Sequence, residues 1–204
     1  MLDASFRPLI DVILRWPAKA LSRLGVGANS ITIIGGIMGI AAFILTSFGF
    51  YQSALAFIVF NRLADGIDGA VARENGTTDL GGYLDIVFDF LFYALIPLGF
   101  AIANPDHALA AAFLIFTFIG TASSFLAFAV IAAKRGMMTE SRGRKSFYFL
   151  GGLTEGAETF GFLIIICLFP GWFNWLALGF GLLCLITTAT RVWIAVDAFN
   201  DAYH

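Results

Sequence analysis

A chain of 204 residues in which 59% are hydrophobic and 13% charged departs from ordinary soluble domains, where about a quarter of residues carry charge. This composition excludes a water-soluble globular enzyme and describes a polytopic membrane protein. The net charge of −2 says little by itself, and no nucleic-acid partner is expected.

At the start of the chain, Phe6, Leu9, Ile10, Val12, Ile13, Leu14 and Trp16 alternate with Arg7, Asp11, Arg15 and Lys19 at helical spacing, with Pro17 interrupting. The pattern predicts an amphipathic helix lying on the membrane surface, basic side toward anionic headgroups. The same stretch lacks the basic, apolar and small-residue order of a cleaved signal peptide. Six apolar runs follow, near 30–50, 52–72, 84–104, 108–133, 149–170 and 172–196. Each matches the roughly 20 residues a helix needs to cross a hydrocarbon core. Breaks fall at Phe48-Gly49, Asn104-Pro105-Asp106 and Pro170-Gly171. The expected fold is therefore all-α, a single membrane domain over 1–204. It comprises an interfacial helix in 1–25 and a six-transmembrane-helix core in 26–204.

Within the first run, Gly35 and Gly39 form a small-xxx-small pair suited to close helix packing. Cys167 and Cys184, in the fifth and sixth runs, have no metal-ligand spacing and read as buried thiols. The basic residues are distributed on one side only: Arg7, Arg15, Lys19 and Arg23 before the first run; Arg62 and Arg73 toward the second turn; Lys134, Arg135, Arg142, Arg144 and Lys145 in the fourth connection; Arg191 toward the end. The three opposite turns carry none, which places both termini in the cytoplasm.

Inside the second and third runs lie four carboxylates, and acidic groups at membrane depth mark a functional site by default. Asp65 and Asp68 are three apart, Asp85 and Asp89 four apart, so each pair shares a helix face. Between them, Asn75-Gly76 offers a helix stop and Thr77, Thr78 and Asp79 offer starts, predicting a short antiparallel hairpin. Measured from a turn centred on Thr77, all four carboxylates reach similar depths, roughly 12–18 Å at 1.5 Å per residue. Such a cluster repels itself unless a cation sits within it. Oxygen donors without His or Cys favour Mg²⁺, Mn²⁺ or Ca²⁺ over Zn²⁺, and magnesium leaves positions open for phosphate. Gly69 and Gly81, lacking side chains, would let a phosphorylated ligand approach the backbone. Arg73 continues the Gly69 face and could take a diphosphate in bidentate fashion, or could snorkel as an interfacial arginine.

Taken together, Asp65-Gly66-Ile67-Asp68-Gly69-Ala70-Val71-Ala72-Arg73 and Gly81-Gly82-Tyr83-Leu84-Asp85-Ile86-Val87-Phe88-Asp89 resemble the signature of the CDP-alcohol phosphatidyltransferase family. Eight motif positions match: Asp65, Asp68, Gly69, Ala72, Arg73, Gly81, Asp85 and Asp89. Seven residues separate Arg73 from Gly81 where many relatives have eight. Asn29-Ser30-Ile31-Thr32 is similar to the family's Asn-x-x-Thr element near the nucleotide, though Asn29 also suits a plain helix cap. The run from Lys145 to Gly156 resembles a bacterial inner-membrane branch of the family.

The resemblance implies that a CDP-linked lipid, CDP-diacylglycerol above all, lays its diphosphate on Mg²⁺ or Mn²⁺ held by Asp65, Asp68, Asp85 and Asp89. Asp89 would also take the proton of an acceptor hydroxyl, and CMP would leave. Asn29, Thr32, Gly69, Ala72, Arg73 and Gly81 would line the CDP site, and the family implies a homodimer in the bacterial inner membrane. For the acceptor, Arg191 resembles in placement a basic residue of inositol-phosphate-using relatives. Lys145 and its loop could bind an acceptor phosphate or serve topology alone. Glu155 and Glu158 could orient a cationic group or pair with that loop. Two rival readings stay open. Intramembrane prenyltransferases also gather aspartates around Mg²⁺ and a diphosphate, but Gly69 stands where their first motif needs Asp. An ion or proton transporter would spread its carboxylates through the membrane's depth.

Overall fold

The computed structural model describes residues 14–137 and 152–200. Residues 14–23 form a helix, α1, followed by α2 (Ala28–Ser47), α3 (Tyr51–Asn75), α4 (Asp79–Ala103), α5 (Ala108–Lys134), α6 (Gly156–Leu168) and α7 (Phe173–Asn200). No strand occurs among the described residues. The breaks fall where local chemistry requires them. Gly49 at φ +78° and Gly76 at φ +100° follow α2 and α3, in a conformation that costs glycine little. One-turn 3₁₀ segments begin at Pro105 and Pro170, where proline's missing N–H removes no helical bond. The third apolar run starts earlier than its hydropathy suggests, because the Thr78 side chain accepts from the Gly81 N–H and caps α4 at Asp79. The fifth starts later within the described residues. Leu153 and Thr154 donate their backbone N–H groups to Thr187 Oγ1 on α7, so α6 begins only at Gly156 behind a Glu155–Glu158 capping box.

Among the described residues, four stretches are long and apolar enough to cross a membrane: Ala28–Ser47, Asp79–Ala103, Pro105–Lys134 and Pro170–Asn200. Helix α3 has 25 residues but carries Arg62, Asp65, Asp68, Arg73 and Glu74, and α6 has 13. Ile33, Ile37, Ile40 and Ile44 all point outward from α2, as lipid-facing side chains do.

Helix α2 packs on α3 and α4, α4 on α5, and α5 on α7, while α6 leans on α3. The core between them holds Phe92, Ile96, Phe100, Leu114, Leu163, Ile166 and Phe173. Phe100 stacks on Phe173 with centroids 4.3 Å apart and on Tyr51 at 4.6 Å. The glycine pair of α2 does bring helices close: a Cβ on Gly35 would lie 3.2 Å from Ala64, and Asn61 Nδ2 donates to Gly35 O at 2.8 Å. Both cysteines are buried free thiols. The first helix continues through exposed Pro17 and docks its Leu14–Ala18 face on Ala70 and Val71 of α3, leaving Trp16 84% exposed. Its expected residues before 14 lie outside the described ones.

Candidate active site

The α3–α4 hairpin turns through Gly76 and Thr78 as its residues predict, and this brings the two aspartate pairs together. One pocket is lined by Thr32, Asn61, Arg62, Asp65, Asp68, Asp85, Phe88 and Asp89, with Gly35 and Gly36 forming its α2 wall. Asp65, Asp68 and Asp85 each offer a carboxylate oxygen, and these oxygens lie within 4.8 Å of one another. Asp89 lines the same pocket, and Arg62 Nη2 donates to its Oδ1 at 2.5 Å.

Three carboxylates converging this closely suit a hard divalent cation, which takes oxygen ligands and tolerates open coordination positions. Asp68, the most buried at 5% exposure, is oriented by Thr32, whose Oγ1 lies 2.6 Å from Asp68 Oδ2 and 3.1 Å from Ala28 O. A hydroxyl has one proton, and the shorter contact to the carboxylate takes it. Thr32 thus lies behind Asp68 as well as near any ligand.

The remaining expected CDP residues lie outside the pocket lining. A Cβ on Gly69 would meet only Arg73 Nη1, at 3.5 Å, so this face of α3 is open, and Ala72 is half-buried beside exposed Arg73. At Gly81 the space is taken: a Cβ there would lie 2.6 Å from Asn29 Oδ1 and 3.0 Å from Thr78 Oγ1. Gly81 therefore makes room for the Asn29 carboxamide at the foot of α2.

Arg191 sits apart from the carboxylates, 8% exposed. Its Nη1 donates to Thr121 O at 3.0 Å, its guanidinium lies 5.7 Å from the Phe125 ring centroid, and its Nε has no hydrogen-bond partner. Thr187, one helical turn earlier, holds Leu153 and Thr154 beside it. Lys145 lies outside the described residues.

Arg62 reads from the sequence as a topological charge near the turn and as a pairing partner for the aspartates, and the structure pairs it with Asp65 and Asp89. The side chain is 12% exposed and makes four polar contacts, to Asn61, Tyr93, Asp89 and Asp65. The i,i+3 spacing from Arg62 to Asp65 was the available signal.

A carboxylate pocket borne on helices, beside others long and apolar enough to cross a membrane, defines the class, and the comparisons name it. The family model described as CDP-alcohol phosphatidyltransferase matches residues 26–195, and the chain belongs to that family. It is 50% identical to the inner membrane protein YnjF of Escherichia coli K12, covering 95% of this chain and 94% of that protein. It is 29% identical to the archaetidylinositol phosphate synthase of Pyrococcus horikoshii, over 93% of this chain and 92% of that one. Among solved structures it resembles the phosphatidylinositol phosphate synthase PgsA1 of Mycobacterium tuberculosis with CDP-DAG bound, at TM-score 0.63 and 26% identity, covering 89% of this chain and 90% of that one.

Proposed function

We propose that this chain is a cation-dependent transferase of the cytoplasmic membrane that moves a phosphatidyl group from CDP-diacylglycerol to the hydroxyl of an acceptor alcohol and releases CMP. The observation that carries the reading is the convergence of both motif halves, Asp65 and Asp68 from α3 with Asp85 and Asp89 from α4, on one pocket. The CDP-DAG held by the mycobacterial synthase supports the donor. Six spans, cytoplasmic termini, a single domain over 1–204, a surface-lying α1 and a homodimer belong to the same proposal. The first two rest on the run lengths and the one-sided distribution of Lys and Arg.

Asp65, Asp68, Asp85 and Asp89 would hold Mg²⁺ or Mn²⁺, the first three offering oxygens within 4.8 Å of one another. Such a cation, when bound, neutralises diphosphate charge as it develops toward the leaving group. The rest falls to the chain's own residues. Gly69, Ala72 and Arg73 would border the nucleotide and diphosphate, with Asn29 and Gly81 at its far edge and Thr32 holding Asp68 in place. The acceptor oxygen attacks the lipid-side phosphorus, the bond from that phosphorus to the CMP oxygen breaks, and the hydroxyl proton passes to the Asp89 carboxylate. Asp89 needs only hydrogen-bond reach to that hydroxyl.

Arg191 would receive the acceptor. A guanidinium buried with an unpartnered Nε leaves a donor for a ligand, and donors left unpaired in a buried site are costly, which favours an acceptor bearing an anionic group. Contacts link it to the carboxylates: Asp89 to Arg62, Arg62 to Tyr93, Tyr93 to Phe118 with centroids 6.3 Å apart, and Phe118 to Thr121 one turn along α5. Lys145 is placed with Arg191 by its sequence position alone.

The test is CMP release by the detergent-purified protein given CDP-diacylglycerol, Mg²⁺ or Mn²⁺, and pooled acceptors: glycerol phosphate, serine, inositol, inositol phosphate and phosphatidylglycerol. Asp89→Asn is expected to abolish release while sparing CDP binding. Full turnover by that variant removes the base from Asp89. Absence of CDP binding by folded wild-type protein refutes the transferase.

A further inference from the structure

The strap of chain ahead of α6 commits every one of its N–H groups to a side chain. Gly152 donates to Glu155 Oε1 at 3.2 Å, Leu153 and Thr154 each donate to Thr187 Oγ1 at 3.1 Å, and Glu155 donates to Glu158 Oε2 at 3.2 Å. The outer two bonds are local. The inner two are made by a single residue of α7, 34 and 33 residues further along the chain.

Thr187 gives its hydroxyl to the strap entirely. The Thr154 hydroxyl lies 3.0 Å from it as a third partner, and three partners exhaust the two lone pairs and one proton of a hydroxyl. Threonines inside helices ordinarily bond back to a carbonyl of their own preceding turn. Thr188 does so to Cys184 O at 3.0 Å, and Thr190 to Ile186 O at 2.9 Å. Thr187 turns to the strap instead, and its contact with Thr154 is closed to water, the two residues being 0% and 6% exposed.

This junction stands one helical turn from Arg191. A Cβ on Gly152 would overlap Thr187 Cγ2 and lie 3.4 Å from Arg191 Nη2, so the strap lies against that edge of the guanidinium. Nη1 is taken by Thr121 O of α5. Nε is the donor left without a partner. A rigid planar fork offers a chosen edge when its other edges are fixed.

We propose that Thr187 is a positioning residue for acceptor binding, holding strap 152–155 against Arg191 so that the guanidinium presents Nε to the acceptor's anionic group. The proposal rests on the reading that Arg191 receives the acceptor. It adds the residue that aims the arginine, and it makes Gly152 the position whose missing side chain lets the strap close on α7.

The experiment compares full-length detergent-solubilised wild type with Thr187→Val, Thr187→Ser, Gly152→Ala and the Gly152→Ala/Thr187→Ser double variant. Acceptor and CDP-diacylglycerol KM are read from CMP release. Amide hydrogen exchange through residues 152–155 is followed during titration with inorganic phosphate, the probe for an anionic group. Valine keeps the shape of Thr187 and removes the oxygen. Thr187→Val is expected to raise the acceptor KM by about tenfold or more, with kcat and the donor KM within about threefold. Thr187→Ser is expected to stay within about threefold of wild type throughout. Gly152→Ala is expected to match Thr187→Val, and the double variant to recover most of the loss, because serine lacks the Cγ2 that the new methyl meets. Exchange at Leu153 and Thr154 should quicken about tenfold in Thr187→Val, and phosphate should slow it only at about tenfold higher concentration than in wild type.

Equal shifts in the two KM values, a wild-type acceptor KM in Thr187→Val, or no recovery in Thr187→Ser overturn the proposal, since a residue that merely packs α6 on α7 does not separate acceptor from donor. If Thr187→Val does not fold, Gly152→Ala and the double variant decide by the same values, and failure of both Thr187→Val and Gly152→Ala to fold makes the junction purely structural and overturns the proposal. If the wild type releases no CMP, the phosphate titration decides alone. The expected phosphate shift in a protein that binds no CDP refutes the transferase and leaves Thr187 in its role. Turnover with an unshifted acceptor KM refutes the role of Thr187 alone, and a wild type that neither releases CMP nor responds to phosphate overturns the proposal.

Discussion

Replacing Thr32 by valine tests how the site orients its most buried carboxylate. The substitution is close to isosteric and removes one hydroxyl, the one that lies 2.6 Å from Asp68 Oδ2. Both residues are nearly closed to solvent, Thr32 at 8% and Asp68 at 5% exposure, so water does not replace the lost donor. A hydrogen bond to a charged group contributes about 1.5–3 kcal/mol, and about 1.4 kcal/mol corresponds to tenfold in affinity. Partners that orient metal ligands are typically worth about 10–100-fold in metal affinity or activity, which agrees with that range. Thr32→Val is therefore expected to raise the Mn²⁺ concentration needed for half-maximal CMP release by about 10–100-fold. Direct Mn²⁺ titration should show the same shift, and the metal-free protein should also lose stability, since a buried carboxylate loses its donor. Thr32→Ser, which keeps the hydroxyl, should stay near wild type. Wild-type Mn²⁺ affinity in Thr32→Val, or an equal loss in Thr32→Ser, would refute the idea that the hydroxyl positions Asp68.

Gly81→Ala should push Asn29 aside and strain the Thr78 cap, since the new Cβ would lie 2.6 Å from Asn29 Oδ1. The expected result is a loss of about 1–2 kcal/mol of stability and a raised KM for CDP-diacylglycerol, and an unchanged melting curve and KM would contradict it. Arg191→Met should raise the acceptor KM by about tenfold without moving the donor KM, whereas equal shifts in both would remove Arg191 from the acceptor pocket. Gly66→Leu should lift α1 from α3, because even a Cβ at Gly66 would reach within 2.5 Å of Leu14 Cδ1. Limited trypsin digestion should then cut at Arg15, Lys19 or Arg23 in the variant. Protection equal to wild type would show that α1 docks elsewhere.

Much of this site was legible in one dimension because its chemistry is local. The hairpin that unites the aspartates is set by Gly76 at φ +100° and the Thr78 cap, both dictated by side chains within a few residues. Helix ends at Phe48-Gly49 and the two proline-initiated 3₁₀ turns are likewise short-range effects. What escaped is tertiary. The role of Arg62 depends on Asp89 and Tyr93, which lie 27 and 31 residues further along the chain, and its charge was accounted for by topology. The late start of α6 depends on Thr187, more than 30 residues away, competing for the N–H groups of Leu153 and Thr154. Gly81 looked like open space for a ligand, and only packing shows Asn29 occupying it. Among the described residues four helices are membrane-capable, against six spans expected: α3 has exchanged apolar positions for charges, and α6, with its late start, has 13 residues.

Every side chain lining the aspartate pocket falls between Thr32 and Asp89, on three consecutive helices, while Arg191 and its supports belong to α5, α7 and residues 152–155. As a growing chain leaves the ribosome, the helices that carry the aspartates can be assembled before α5, α6 and α7 have been translated. Under the proposed function, substitutions in the later helices would exchange one alcohol for another while the earlier ones kept handling the same activated lipid, so new headgroups would arise without reinventing the chemistry that attaches them.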